Sequence, residues 1–150
     1  MLETSDLLKI LPHRIPALFV DRVTSLFPGG AEGYKNVTAT EAQFRGHFAG
    51  NPIMPGVLTL EALLQLIWAA YRCQGLAEAV LPEDWQPPDL EVELSYIERI
   101  RFRHVVRPGD RLDLRVEERE AEGSLRTVAA VAKVEGHIAC EALLKVLIKR

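Results

Sequence analysis

The sequence predicts an α+β fold in which a curved antiparallel sheet wraps around one long central helix. Residues 57–71 are almost entirely apolar, which is typical of a helix that is buried on all sides. From residue 90 to residue 149, apolar residues alternate with polar ones, as in strands. Short turns between these strands favour antiparallel neighbours. The chain of 150 residues fits a single domain over residues 1–150, and its 48% hydrophobic content is enough to fill a core.

The N-terminal third is predicted to hold one helix and two strands. A short amphipathic helix is expected over residues 5–11, and Pro12 ends it. A strand over residues 17–27 is followed by a Pro-Gly-Gly turn at residues 28–30. A second strand is expected over residues 31–40.

The middle of the chain carries the central helix between two irregular loops. Residues 44–56 contain three glycines and two prolines, so they are expected to form a loop. Pro55 lies where a helix can begin, and the helix is predicted over residues 57–71. Residues 82–89 are rich in proline and acidic residues, which indicates an exposed loop.

The C-terminal part is predicted to form four more strands, separated by turns that contain glycine. They are expected over residues 90–103, 111–120, 125–134 and 137–149. The last strand alternates most clearly. Its apolar face is predicted to comprise Ile138, Cys140, Ala142, Leu144, Val146 and Ile148.

Composition argues against several classes of function. The net charge of −3 provides no positive field to hold nucleic acid. The longest uncharged apolar stretch, residues 62–71, is shorter than the roughly 20 residues that a membrane span needs. Residues 1–6 are acidic where a secretory signal is basic, so a cytoplasmic enzyme is expected. Cys73 and Cys140 form no C-x-x-C pair and are expected to be core residues.

One histidine lies in a loop suited to catalysis. His47 stands between Gly46 and the turn at residues 48–50, and imidazole is well matched to proton transfer near neutral pH. Gly56 is expected at the helix N-terminus, where free N–H groups favour a developing negative charge. The alternative is an ordinary glycine-proline loop with a surface histidine.

The helix contains a carboxylate at a position where apolar residues dominate. Glu61 and Gln65 are four residues apart and therefore project from one face. Burial is expected to raise the pKa of Glu61, which would make it a general acid at neutral pH. Alternatively, Glu61 forms a satisfied polar pair with Gln65 or faces a partner subunit.

Four segments of the chain together carry a resemblance to a known family. They are residues 46–65, GHFAGNPIMPGVLTLEALLQ, and residues 11–23, 100–112 and 134–143. The first resembles the signature of the 3-hydroxyacyl-[acyl-carrier-protein] dehydratases of fatty acid synthesis, of the type with a catalytic glutamate, and the other three resemble further segments of that family in the same order. The resemblance implies a hot-dog fold whose subunits pair their sheets, with active sites at the dimer interface. It assigns the catalytic histidine to His47 and the catalytic acid, contributed by the neighbouring subunit, to Glu61.

The activity implied is dehydration of (3R)-3-hydroxyacyl-[acyl-carrier-protein] to the trans-2-enoyl product, in fatty acid synthesis or a related lipid or polyketide pathway. His47 would remove the α-proton, the Gly56 N–H would stabilise the thioester oxyanion, and Glu61 would protonate the leaving hydroxyl. Gln65 is expected to orient Glu61. No cofactor is expected beyond the phosphopantetheine arm that carries the substrate. The histidines show no spacing typical of a metal site, so no metal is expected.

Two further groups of residues are expected to contact the substrate and its carrier. Candidates for the wall of an acyl tunnel are Met54, Val57, Leu60, Leu64 and Trp68, although each could equally be core. Candidates for docking the acidic acyl-carrier protein are Arg99, Arg101 and Arg103, which are expected to share one face of a strand. Structural roles are favoured for the remaining histidines, His13, His104 and His137. The roles of Arg14 and Asp21 stay open between folding and catalysis.

The partners expected are acyl-carrier protein and further copies of the chain, as a homodimer or a trimer of dimers, with neither nucleic acid nor membrane. Two other classes of function stay open. One is another hot-dog enzyme, a thioesterase or an enoyl-CoA hydratase. The other is a catalytically silent subunit. This hypothesis stays open because Ala49 and Trp68 depart from the family pattern. Chain length, pathway and the choice between carrier protein and coenzyme A are not decided by the sequence.

Overall fold

The computed structural model describes residues 1–76 and 78–150. Its elements follow one another in an order close to the predicted one. They are α1 (Thr4–Ile10), β1 (Arg22–Phe27), β2 (Gly30–Asn36), a 3-10 turn (Ala42–Arg45), α2 (Gly56–Arg72), β3 (Glu91–Phe102), β4 (Arg111–Glu122), β5 (Leu125–Val134) and β6 (His137–Lys149).

The six strands form one antiparallel sheet in the order β1-β2-β4-β5-β6-β3. Helix α2 packs across one face of this sheet, and the apolar side chains between them form the core. The predicted fold class is therefore confirmed. Strand β3 is at one edge and pairs with β6 alone, with extra residues inserted after Leu94 and after Ile97. Such bulges bend a strand and increase its twist.

The strand predicted over residues 17–27 is wrong in its first half, because β1 begins only at Arg22. The preceding segment is held by a side chain of α2 instead of a neighbouring strand. The side-chain oxygen of Gln65 accepts a hydrogen bond from the Phe19 N–H at 2.8 Å, and its amide nitrogen donates to the Ala17 carbonyl at 2.8 Å. The Phe19 N–H and the Ala17 carbonyl are therefore bonded to Gln65 and form no hydrogen bonds with a neighbouring described strand.

Helix α2 is not buried on every side, as its composition suggested. Four residues spaced four, three and four apart form one partly exposed stripe along it, namely Val57, Glu61, Leu64 and Trp68. Val57 is 67% exposed, whereas Leu63, Leu66 and Ile67 on the opposite side are fully buried. One chain thus covers only part of its central helix, and the stripe is available to another surface.

The predicted apolar face of β6 holds for five of its six members. Cys140, Ala142, Leu144, Val146 and Ile148 are all buried. Ile138 is the exception, because the register shifts by one residue between it and Cys140. The extra residue turns Ile138 to the outer face of the sheet, as a one-residue slip exchanges the two faces of a strand.

Both cysteines lie in the core, as predicted. Burial raises the pKa of Cys73 to about 12 and that of Cys140 to about 11. Neither thiol is therefore activated as a nucleophile. In the part of the chain that the structure describes, no helix combines the length and apolar character needed to cross a membrane.

Candidate active site

His47 is held by a loop that folds back on itself. Phe48 and Asn51 exchange two backbone hydrogen bonds, of 3.0 and 2.9 Å, across a tight turn in which Gly50 has a φ of 74°. Immediately beyond the turn, the Ile53 N–H donates to the His47 carbonyl at 2.8 Å. The loop is therefore closed by backbone groups on both sides of the turn.

The imidazole ring of His47 has a defined tautomer. Its Nδ1 lies 2.6 Å from the Ile53 carbonyl oxygen. Because a carbonyl can only accept, Nδ1 donates this hydrogen bond, and in the neutral ring the lone pair is then on Nε2. Phe48 stacks on the ring with 4.2 Å between centroids. The ring is thus fixed with its basic nitrogen unoccupied.

Gly56 is the first residue of α2, as predicted, and Pro55 caps the helix. The Gly56 N–H donates no hydrogen bond to any residue that the structure describes. A side chain at this position would not fit, because a Cβ would lie 2.7 Å from the Phe102 ring. Phe102 therefore packs against the bare helix start.

His47 and Gly56 line a common cavity of about 370 Å³. Met54 and Val57, two of the predicted tunnel residues, also line it. Phe102 closes one side, at the end of edge strand β3. The cavity therefore combines a free imidazole nitrogen with the positive end of a helix, an arrangement able to remove a proton and stabilise the resulting anion.

Glu61 lies within a separate hydrogen-bonded group. Its Oε1 accepts a hydrogen bond of 2.9 Å from the side-chain amide of Gln65, as the spacing of the two residues predicted. The same oxygen lies 3.2 Å from Nε2 of His13. Gln65 is fully buried, and its amide also holds Ala17 and Phe19. The N-terminal segment and helix α2 thus meet at one carboxylate.

The predicted rise in the pKa of Glu61 is wrong, because the pKa is lowered. The largest cause is the hydrogen bond from His13, and the hydrogen bond from Gln65 adds to it. Desolvation acts in the opposite direction but is outweighed, since the side chain retains 34% exposure. The contacts within this chain therefore favour the ionised form of Glu61 at neutral pH.

His47 and Glu61 do not contact each other within one chain. Each forms its hydrogen bonds with other groups, and Glu61 does not line the cavity of His47. Glu61 follows Val57, which lines that cavity, by about one turn of α2 and therefore lies roughly 6 Å further along the helix axis.

The other predicted tunnel residues divide into two groups. Leu64 and Trp68 belong to the partly exposed stripe beside Glu61. Trp68 stacks under the Arg72 guanidinium, with 4.7 Å to the ring centroid. Leu60 is buried in the core and lines neither the stripe nor the cavity of His47, so its prediction as tunnel wall finds no support.

The three predicted docking arginines are exposed near the end of β3. Arg99 and Arg101 lie opposite Leu143 and Glu141 of β6, on the face away from α2. Arg103 follows the strand and forms an ion pair with Glu141 at 2.6 Å, which holds the pKa of Glu141 below its usual range. Arg99 and Arg101 form no ion pair with the residues that the structure describes.

Sequence reasoning favoured a structural role for His13 and did not connect it with Glu61. The available signal was its position in the first of the four resembling segments. His104 lines the cavity of His47 and stacks on His137, with 6.1 Å between ring centroids. Within the described ranges, no three His, Cys, Asp or Glu side chains converge as metal ligands would.

Comparison with known sequences identifies a family model. Residues 11–143 match the model described as a FabA-like domain. The chain is 39% identical to a 3-hydroxyacyl-[acyl-carrier-protein] dehydratase FabZ of Campylobacter curvus, over 99% of this chain and 98% of that protein. It is 41% identical to the dehydratase of the same name from Bacillus subtilis, over 94% of each chain.

Comparison with solved structures confirms the hot-dog fold. The dehydratase heterocomplex ApeI:P of Xenorhabdus doucetiae matches with a TM-score of 0.56 and 22% identity, over 84% of this chain and 94% of that one. A hypothetical thioesterase of Streptococcus pneumoniae, solved with coenzyme A, matches with a TM-score of 0.64 and 12% identity, over 85% and 84%. At these identities the likeness concerns the fold alone.

Proposed function

We propose that this chain, which belongs to the FabA-like family, dehydrates 3-hydroxyacyl groups carried on acyl-carrier protein. The proposal is supported by its similarity to 3-hydroxyacyl-[acyl-carrier-protein] dehydratases over nearly its whole length. The chain is an enzyme of fatty acid biosynthesis and a lyase. The observation that carries the mechanism is the free Nε2 of His47 beside the free N–H of Gly56 in one cavity.

In this mechanism His47 Nε2 removes the α-proton of the thioester. The electrons of the broken C–H bond move to the thioester oxygen, which accepts a hydrogen bond from the Gly56 N–H at the start of α2. When these electrons return from the oxygen to form the α,β double bond, the bond to the β-hydroxyl breaks and the hydroxyl leaves. One proton then has to reach that hydroxyl for water to depart.

The protonated His47 supplies this proton, because Glu61 is ionised. Glu61 accepts a hydrogen bond from the β-hydroxyl and orients it toward the imidazolium. The proton taken from the α-carbon therefore leaves in the water molecule, and the enzyme returns to its starting state. Each positioned proton-transfer step of this kind contributes roughly 10²- to 10⁴-fold to the rate.

The site is composite, with His47 of one chain and Glu61 of a second. Two features support this arrangement. Strand β3 has an unpaired edge, and apolar side chains are exposed on it, with Tyr96 59% and Phe102 54% exposed. A second copy of β3 pairing along this edge would continue the sheet across a dimer and cover the stripe of α2.

The substrate would then lie between the two halves of the site. The acyl chain follows the stripe of α2 past Leu64 and Trp68, and Met54 and Val57 line the approach from the cavity of His47. Each buried methylene contributes about 0.8 kcal/mol to binding. Arg99 and Arg101, on the outer face, meet the acidic carrier protein, and Arg103 is engaged by Glu141.

A product assay tests the proposal against the alternative hot-dog activities. The purified chain is incubated with 3-hydroxyacyl-carrier protein, and both the enoyl thioester and free thiol are measured. We expect enoyl product by ultraviolet absorbance and no release of thiol. Thiol release would identify a thioesterase, a faster reaction with coenzyme A thioesters would identify a hydratase, and absence of product would indicate a silent subunit.

Mixing two inactive variants tests the composite site. His47→Ala and Glu61→Gln are purified separately, then mixed in equal amounts under conditions that exchange subunits. Half of the dimers become mixed, and one of the two sites in each mixed dimer is intact, so about one quarter of the wild-type activity should return. No recovery despite demonstrated exchange would place both residues of each site on the same chain.

A further inference from the structure

We infer that His13 is a positioning residue of the dehydratase site, which fixes one oxygen of Glu61 and thereby presents the other to the substrate. This inference rests on the proposed function, since it concerns the carboxylate assigned to that reaction. It is carried by the hydrogen bonds around Glu61 and by the isolation of the imidazole ring of His13.

Both polar contacts of Glu61 are made by the same oxygen. Oε1 lies 2.9 Å from the side-chain nitrogen of Gln65 and 3.2 Å from Nε2 of His13. Oε2 has no partner among the residues that the structure describes, and it is not a buried atom. Two contacts on Oε1 restrict rotation of the carboxylate and so favour one direction for Oε2. That oxygen is the one able to accept a hydrogen bond from the substrate hydroxyl.

The ring of His13 has no other polar partner. Because a carboxylate only accepts, Nε2 carries the proton. Nδ1 is buried and has no hydrogen-bond partner among the described residues. A buried imidazole that serves the fold alone normally has both nitrogens satisfied, because an unpaired buried polar group costs about 1–3 kcal/mol. Among the described residues, this ring has one polar contact, with the proposed catalytic carboxylate.

The N-terminal segment is built to hold this ring in place. The rings of His13 and Trp68 pack perpendicular to each other, with 6.1 Å between centroids and 88° between planes. The adjacent Arg14 donates to the carbonyls of Leu11 and His13 at 2.8 and 2.9 Å, which stiffens the backbone there. The position of the ring is therefore set independently of Glu61.

No other ionisable group of the described chain contributes to the pKa of Glu61. The N-terminal segment contributes His13, α2 contributes the neutral Gln65, and the sheet contributes none. Arg72, further along the same helix, donates to the carbonyls of Ile10 and Leu90. Removing the imidazole therefore removes the largest influence that keeps Glu61 ionised.

Substitution of His13 tests the inference with a matched pair. His13→Leu keeps bulk but has no donor, whereas His13→Gln places an amide N–H near the position of Nε2. We expect His13→Leu to lower kcat about 10- to 100-fold with little change in KM, and His13→Gln to restore most of the loss. His137→Leu, the same change at an exposed histidine, should leave kcat unchanged.

A titration separates this inference from the proposed function. The pKa of the Glu61 carboxyl, followed by ¹³C NMR, should rise in His13→Leu and stay close to wild type in His13→Gln. An unchanged pKa in His13→Leu would overturn the inference, whether or not the chain dehydrates its substrate. Equal loss of kcat in the leucine and glutamine variants would also overturn it. If His13→Leu does not fold, His13→Asn, whose amide is too short to reach Oε1, takes its place with the same expected results.

Discussion

The two halves of the proposed site are built in different ways. His47 is held by backbone groups, through the Ile53 carbonyl and a loop that closes on itself. Glu61 is held by side chains, through Gln65 on the same helix and His13 on the N-terminal segment. The first half is local in sequence, whereas the second draws on residues 48 positions apart.

This difference separates the roles of the two halves. A histidine fixed by the backbone has one nitrogen committed and one free, which suits proton transfer. A carboxylate fixed by two donors stays charged and keeps its direction, which suits it to orient a substrate group. In the proposed site the two halves come from different copies of the chain, so a second copy would complete it.

The largest effect is expected at the histidine half. His47→Ala removes the base and should lower kcat by about 10² to 10⁴. The measurement is formation of enoyl product from 3-hydroxyacyl-carrier protein, with His137→Ala as the control for loss of an exposed imidazole. A decrease in His47→Ala of less than tenfold would assign proton removal to another group.

The next largest effect is expected at the carboxylate half. Glu61→Gln should lower kcat by about 10²-fold, because the amide keeps the shape of the carboxylate but not its charge.

The pKa of Glu61 in the wild type should lie below the usual value of 4.5 in a ¹³C NMR titration. The same hydrogen bonds stabilise the folded chain while Glu61 is ionised. That contribution is lost as the pH falls through the lowered pKa. A measured pKa near neutrality would return Glu61 to the role of acid.

A smaller effect is expected where the helix start borders the cavity of His47. Gly56→Ala keeps the N–H, but its Cβ would lie 2.7 Å from the Phe102 ring and displace it. We expect about a tenfold decrease in kcat and a loss of about 1–3 kcal/mol in the free energy of unfolding, from overpacking. The double variant with Phe102→Leu should recover part of both. Wild-type activity in Gly56→Ala alone would show that this contact does not shape the site.

The smallest effect is expected outside both halves, on the outer face of β3. Arg99→Glu and Arg101→Glu should raise KM for the carrier-protein substrate about 3- to 10-fold, with a smaller salt dependence. The same variants should process a short pantetheine thioester at the wild-type rate. An equal decrease with both substrates would place these arginines in the chemistry and not in docking.

The sequence predicted the number of strands, the central helix and the position of Gly56, because these depend on local periodicity and turn residues. It did not predict the start of the first strand at Arg22, since Gln65 binds Ala17 and Phe19 across 46 to 48 residues. The lowered pKa of Glu61 was missed for the same reason. Its cause is His13, which is distant in sequence. Ile138 faces the outer side of the sheet because one extra residue is inserted in β6 before Cys140, and the alternation of apolar residues alone does not reveal such an insertion.

Gln65 connects the N-terminal segment of the chain with Glu61 of the proposed site. One amide group binds the backbone at Ala17 and Phe19 and also donates to Glu61. Because His13 belongs to the same N-terminal segment, detachment of that segment would also remove the His13 contact from Glu61. Deuterium uptake at the Phe19 amide, in the protein without substrate, should therefore report how often the proposed site opens on this side.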